Sequence, residues 1–167
     1  MGFNLIPDFR FEHFYNVTPE FLLSIGARAI ILDIDNTLEP YENPEPTEQV
    51  KKWLDSLKNA GISCAFVSNN GRERVELFNK DLKLPAFYKA GKPLKKNILK
   101  AILELGVDKS QAILMGDQIF TDVWAAKNAG IRSILLPPIK DKKDPLTRFK
   151  RFLEKPILKI YEKRKNK

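Results

Sequence analysis

Short apolar runs recur along this chain: AIIL from residue 29, ISCAFV from 62, AILMG from 112 and SILLP from 133, with a briefer AFYKA from 86. None alternates apolar with polar residues, so as strands they are buried on both faces. The segments between them carry helical periodicity. Val50, Trp53, Leu54 and Leu57 share one face of a helix that Thr47 caps and Gly61 stops. Further helices are expected in RERVELFNKDL, over about residues 94–105 and over about 121–129. Strand–helix repetition with doubly buried strands leaves one economical solution, an α/β fold built on an open parallel sheet with helices on both faces. In such sheets ligands bind just beyond the carboxyl ends of the strands.

The 167 residues suit one domain with a sizeable core. Residues 1–28 read as a lead-in with Phe or Tyr at positions 3, 9, 11, 14, 15 and 21, expected to cover one sheet edge. Thr18-Pro19-Glu20 opens a short helix there, and Gly26 stops it. Residues 29–139 form the core, and residues 140–167 a basic tail. That tail holds twelve Lys/Arg against four Asp/Glu, which is the whole net charge of +8, since residues 1–139 carry 17 of each sign. No run approaches the roughly 18 apolar residues that span a bilayer. The N-terminus lacks the basic start of a signal peptide. The single cysteine, Cys64, lies in an apolar strand and reads as a buried structural thiol, so a cytoplasmic setting is expected.

Polar residues cluster where the strands end. They are Asp33-Ile34-Asp35-Asn36-Thr37, Ser68-Asn69-Asn70, Lys92-Pro93, and Asp117 with Asp122 behind Gly116. In a parallel sheet these groups converge on one edge. Two carboxylates at the end of a buried strand repel each other and resist desolvation unless a cation joins them. Mg²⁺ fits, because it takes oxygen ligands from one or two carboxylates and completes its shell with substrate phosphate and water. The spacing also allows one carboxylate to attack phosphorus while its neighbour two residues on serves as acid and then base. Lys92, Ser68 and backbone N–H groups would stabilise the phosphoryl charge.

DIDNT, SNN, GKP and GDQIFTD, in this order, resemble the four motifs of the haloacid dehalogenase superfamily of phosphatases. VSNN followed by an arginine-bearing helix, and GDQ-x-FTDV, resemble its IIIA, YqeG-type family, which is similar to phosphatidylglycerophosphate phosphatases. The likeness covers roughly residues 28–140 and extends less sharply into PLTRFKRFLE. It implies that Asp33 is the nucleophile and Asp35 the general acid/base. Asp33, the backbone carbonyl of Asp35, and Asp117 would hold Mg²⁺. Ser68 and Lys92 would bind phosphate together with Thr37 and the backbone of Asn36 and Asn69. Asp122 would support Lys92 or a water on the metal.

Only 34 residues separate Asp33 from Ser68, and 23 separate Ser68 from Lys92. Neither gap holds a cap domain, so the site is expected to be open. Either the substrate is large or surface-bound, or another subunit of an oligomer supplies the lid. Residues 145–164 read as a basic amphipathic segment broken near Pro156, suited to an anionic membrane surface or to packing on the domain. Arg72 and Arg74 either face solvent or meet a second anionic group of the substrate. The expected activity is phosphomonoester hydrolysis on an anionic lipid such as phosphatidylglycerophosphate. Soluble sugar phosphates or nucleotides are the alternative substrates. A non-catalytic module binding Mg²⁺ or a phosphoryl group, with its tail on membrane or RNA, is the rival of another class, although no nucleic-acid motif supports an RNA partner.

Overall fold

A computed structural model describes residues 4–140 and 144–166. Phe3 of the aromatic lead-in and residues 141–143 and 167 of the basic tail lie outside the described residues.

Six parallel strands form one sheet: β1 (Phe9–Arg10), β2 (Ala29–Leu32), β3 (Ser63–Val67), β4 (Ala86–Phe87), β5 (Ala112–Gly116) and β6 (Arg132–Leu135), in the order β1-β6-β5-β2-β3-β4. β2 lies at the centre between β3 and β5, and all four of its residues are buried. Its side chains divide by the two-residue period of a strand. Ile30 and Leu32 join one core layer and Ile31 the other.

Helices α1 (Pro19–Ser24), α2 (Glu48–Asn59) and α3 (Arg72–Asn79) bury Leu22, Trp53, Leu57, Val75 and Phe78 in the first layer. Helices α4 (Lys96–Leu105) and α5 (Trp124–Ala129) bury Ile98, Ile102, Ala125 and Ala129 in the second. Thr18 and Thr47 cap α1 and α2, each accepting a backbone N–H, an interaction worth about 1 kcal/mol. Cys64 is buried in the first layer, which pushes its thiol up to about 12 and leaves it unreactive.

Apolar patterning marks five strands and does not mark β1. At two residues the strand is too short to carry a period, and it exists because Phe9 and Arg10 pair with Ile134 and Leu135. Phe9 and Phe11 then pack edge-on against Phe21.

The tail is a single helix, α6 (Pro145–Lys165), which runs through Pro156 where a break was expected. The carbonyl that Pro156 cannot serve belongs to Phe152, a strongly exposed residue, so water can satisfy it. Asp144 caps α6, and Ile157 and Leu158 pack on Ile119, Val123 and Leu135. Among the described residues, no helix is long and apolar enough to cross a membrane.

Candidate active site

The chain leaves β2 toward β3 and returns past it to β5, so the strand order reverses between β2 and β5. That reversal opens a crevice at the carboxyl ends of these neighbouring strands. Asp33 follows β2 and Asp117 follows β5, and together with Asp122 they offer carboxylate oxygens all within 4.8 Å of one another.

Asp122 reaches this point through one π-helical turn, Ile119–Val123, which leads into α5. Its Oδ2 accepts the Gln118 N–H at 3.1 Å. A Cβ at Gly116 would overlap the Asp122 carboxylate, so the glycine that ends β5 is required for space rather than for its dihedrals. Thr37 Oγ1 lies 3.1 Å from Asp33 Oδ2 and 3.2 Å from Asp117 Oδ1, and its one proton serves either.

Lys92 is buried with its Nζ 2.8 Å from Asp33 Oδ1 and 2.6 Å from Asp122 Oδ1. Burial opposes the ammonium charge, but Asp122 and Asp33 outweigh it and the lysine pKa is raised. Asn69 fixes the lysine backbone from both sides. Its Oδ1 accepts the Lys92 N–H at 2.7 Å and its Nδ2 donates to the Lys92 carbonyl at 3.1 Å.

One lysine does not balance three carboxylates. Burial raises the pKa of Asp33, with Lys92 opposing and Asp122 adding. Burial pushes Asp117 up to about 8; Asp33 and Asp122 add to this and Arg151 opposes it. A buried cluster of hard oxygen donors that resists losing its protons is a fit for a divalent cation of the Mg²⁺ type.

Asp35 is held by its outer partners. Oδ1 accepts from Arg74 Nε and Oδ2 from Asn70 Nδ2, each at 3.0 Å. Arg74 also donates to the Pro44 carbonyl at 3.0 Å, which commits it to ordering the loop rather than meeting a second substrate anion. Arg72 pairs with Glu76 at 2.7 Å on the surface. Asn36 adopts φ +59°, and its backbone N–H, expected at phosphate, instead donates to the Glu39 carbonyl at 2.7 Å. Ser68 is buried, with its Oγ accepting the Asn70 N–H at 3.1 Å.

A cavity of about 460 Å³ opens above these groups, lined by Asp33, Asp35, Asn36, Ser68, Asn69 and Lys92 from the expected set. Thr37, Asp117 and Asp122 are buried beside it. Tyr41, Gln118 and Thr121 add to its walls, and so do Thr147 and Lys150 of α6. The tail helix thus forms part of the site. Arg151 ties it there: NH2 meets Asp117 Oδ2 at 2.7 Å, and NH1 donates to the Asp117 carbonyl at 2.6 Å and to Glu154 Oε2 at 3.0 Å. Glu154, itself buried, accepts the Ile119 N–H at 2.9 Å. No role for Arg151 or Glu154 follows from the sequence alone. Their one signal is the i, i+3 spacing of opposite charges in a basic helix, which Lys159 and Glu162 share.

The family model for haloacid dehalogenase-like hydrolases matches residues 27–136, a span that includes all four strand-end clusters. The chain belongs to this family. It is also 35% identical over 153 residues to the "Probable phosphatase YqeG" of Bacillus subtilis, covering 92% of this chain and 89% of that protein. The YqeG-type resemblance and the phosphatase class both stand on that match. Among solved structures, a hypothetical protein from Xanthomonas campestris superposes with a TM-score of 0.55 at 18% identity over 81% of this chain and 76% of its own. A core domain from Streptococcus pneumoniae gives a TM-score of 0.51 at 21% identity, covering 77% of this chain and 96% of that domain. Both likenesses concern the fold, the parallel sheet with helices on both faces.

Proposed function

We propose that this phosphatase is a Mg²⁺-dependent phosphomonoester hydrolase that works through an aspartyl-phosphate at Asp33. One observation carries the reading: Lys92 Nζ bridges Asp33 and Asp122, with the Asp117 carboxylate beside them, at the floor of an open polar cavity. Asp33, the Asp35 carbonyl and Asp117 are the groups to hold Mg²⁺, which when bound supplies positive charge against the phosphoryl oxygens.

An Asp33 carboxylate oxygen attacks phosphorus as the ester P–O bond breaks, and Asp35 gives its proton to the departing alkoxide. Asp35 then takes a proton from the water that attacks the acyl phosphate, which releases inorganic phosphate and restores Asp33. Lys92 and the Ser68 hydroxyl meet the equatorial phosphoryl charge. Asp122 keeps Lys92 charged and aimed, and Arg74 and Asn70 aim Asp35.

The preferred substrate is an anionic lipid phosphate, phosphatidylglycerophosphate. Among the described residues no cap covers the cavity, and α6 presents a second apolar strip beside the one it buries. Leu146, Phe149, Phe152, Leu153 and Ile160 are exposed on it among basic residues, a pattern suited to an anionic bilayer surface. Phosphate release from this lipid in anionic vesicles, set against soluble esters with and without those vesicles, is the test. Turnover that favours the lipid supports the reading. Rapid hydrolysis of soluble esters with no response to vesicles leaves a soluble-substrate phosphatase, and no release from any ester ends the proposal.

A further inference from the structure

We propose that Lys150 of α6 recognises a second anionic group on the substrate, one that is remote from the phosphorus under attack. The inference rests on the phosphatase reading above and names the class of ester the site takes: phosphomonoesters that carry a further phosphate, phosphodiester or carboxylate.

The cations around the cavity are otherwise committed. Lys92 holds Asp33 and Asp122, Arg74 holds Asp35 and the Pro44 carbonyl, and Arg151 holds Asp117 and Glu154. Lys150 lines the same cavity, is half-buried, and has no hydrogen bond or ion pair with any described residue. Its neighbour Arg151 is anchored at 2.7 Å to Asp117, so the helix turn that bears Lys150 is fixed against the site rather than free to drift. Thr147, one turn earlier on the same face, lines the cavity too and offers a hydroxyl beside the ammonium.

A cavity of about 460 Å³ has room for more than one phosphate. An uncompensated ammonium in its wall is poised for an anion. The helix that closes this side of the open site thus also sets which esters fit.

The test compares wild type with Lys150→Ala and Lys150→Arg on three esters. Nitrophenyl phosphate has no second anion. Glycerophosphoglycerophosphate has one without a lipid. Phosphatidylglycerophosphate in mixed micelles has the same headgroup on a lipid. Lys150→Ala should raise KM about tenfold or more for both two-anion esters and leave kcat/KM for nitrophenyl phosphate within about twofold, with Lys150→Arg retaining most of the preference. A loss confined to the lipid assigns Lys150 to the bilayer rather than to the headgroup and overturns the inference. An equal change on all three esters, or none, overturns it too. Calorimetry with Mg²⁺ present reads the same contrast without turnover: propane-1,3-bisphosphonate, whose second phosphonate lies three carbons from the first, should bind more tightly than inorganic phosphate, and Lys150→Ala should erase the difference. Should wild type cleave no ester, the phosphatase proposal falls while this binding contrast still decides Lys150.

Discussion

Arg151 and Asp117 join the C-terminal helix to the carboxylate cluster, with NH2 2.7 Å from Oδ2 and NH1 2.6 Å from the backbone carbonyl. A residue 34 positions on therefore controls the charge of a proposed metal ligand. The coupling is electrostatic as well as mechanical, because Arg151 opposes the burial that lifts Asp117.

Removing that charge should raise Asp117 further. For Arg151→Met the acid limb of the rate–pH profile is expected to move to higher pH, since a more alkaline medium is needed to free the ligand. The variant should also lose about 2–4 kcal/mol of stability, because Asp117 and Glu154 stay buried without their partner. Steady-state kinetics across pH and a urea titration check the two parts.

Gly116→Ala should damage catalysis through geometry. Its new methyl group overlaps the Asp122 carboxylate, which must shift and carry Lys92 with it. A displacement near 1 Å costs about 100-fold in kcat. Kinetics alongside circular dichroism tests this. A slow but folded enzyme fits, and full activity would show that Asp122 does not position the lysine.

The strand-end clusters were legible because they need no long-range knowledge. A doubly buried run closed by polar residues implies a parallel strand, and parallel strands bring their ends together. Asp33, Ser68, Lys92 and Asp117 follow from that logic. Three features lay outside it. β1 is defined by pairing with β6 rather than by its own pattern. The Asn36 N–H is spent on a tight turn that its sequence does not announce. Arg151, Glu154 and Lys150 lie on a helix whose docking depends on a few apolar side chains, Ile157 and Leu158 among them, so composition could place that helix on the domain or on a membrane with equal ease. The structure shows two apolar strips, one packed and one exposed, where a single face was expected to serve one purpose.

Without metal, stability should fall as pH rises. Asp117 ordinarily loses its proton near 3.8 but keeps it to about 8 in the fold. Below 3.8 both states are protonated; between these values the unfolded chain sheds the proton first, so folding weakens across the window. The melting temperature of the metal-free protein is expected to drop from the bottom of this range to the top. Mg²⁺ should restore more of it near the top, where it displaces fewer protons. Scanning calorimetry at several pH values reads both effects.

The exposed strip of α6 should matter only to surface binding. Phe149→Glu with Phe152→Glu is expected to lower co-sedimentation with anionic vesicles about tenfold or more, since two exposed rings available to the bilayer are lost and two negative charges added. Hydrolysis of nitrophenyl phosphate should be unchanged. Equal sedimentation of variant and wild type would remove the membrane role of this strip.

The most direct test is chemical identification of the acceptor. Wild type and Asp35→Asn are mixed with nitrophenyl phosphate and Mg²⁺, quenched with borohydride, and mapped by mass spectrometry, since borohydride reduces an aspartyl-phosphate to homoserine. Homoserine at position 33 alone, more abundant in Asp35→Asn because loss of the base slows its hydrolysis, is the expected result. Phosphate release with residue 33 still aspartate, or homoserine at another aspartate, would contradict nucleophilic attack by Asp33.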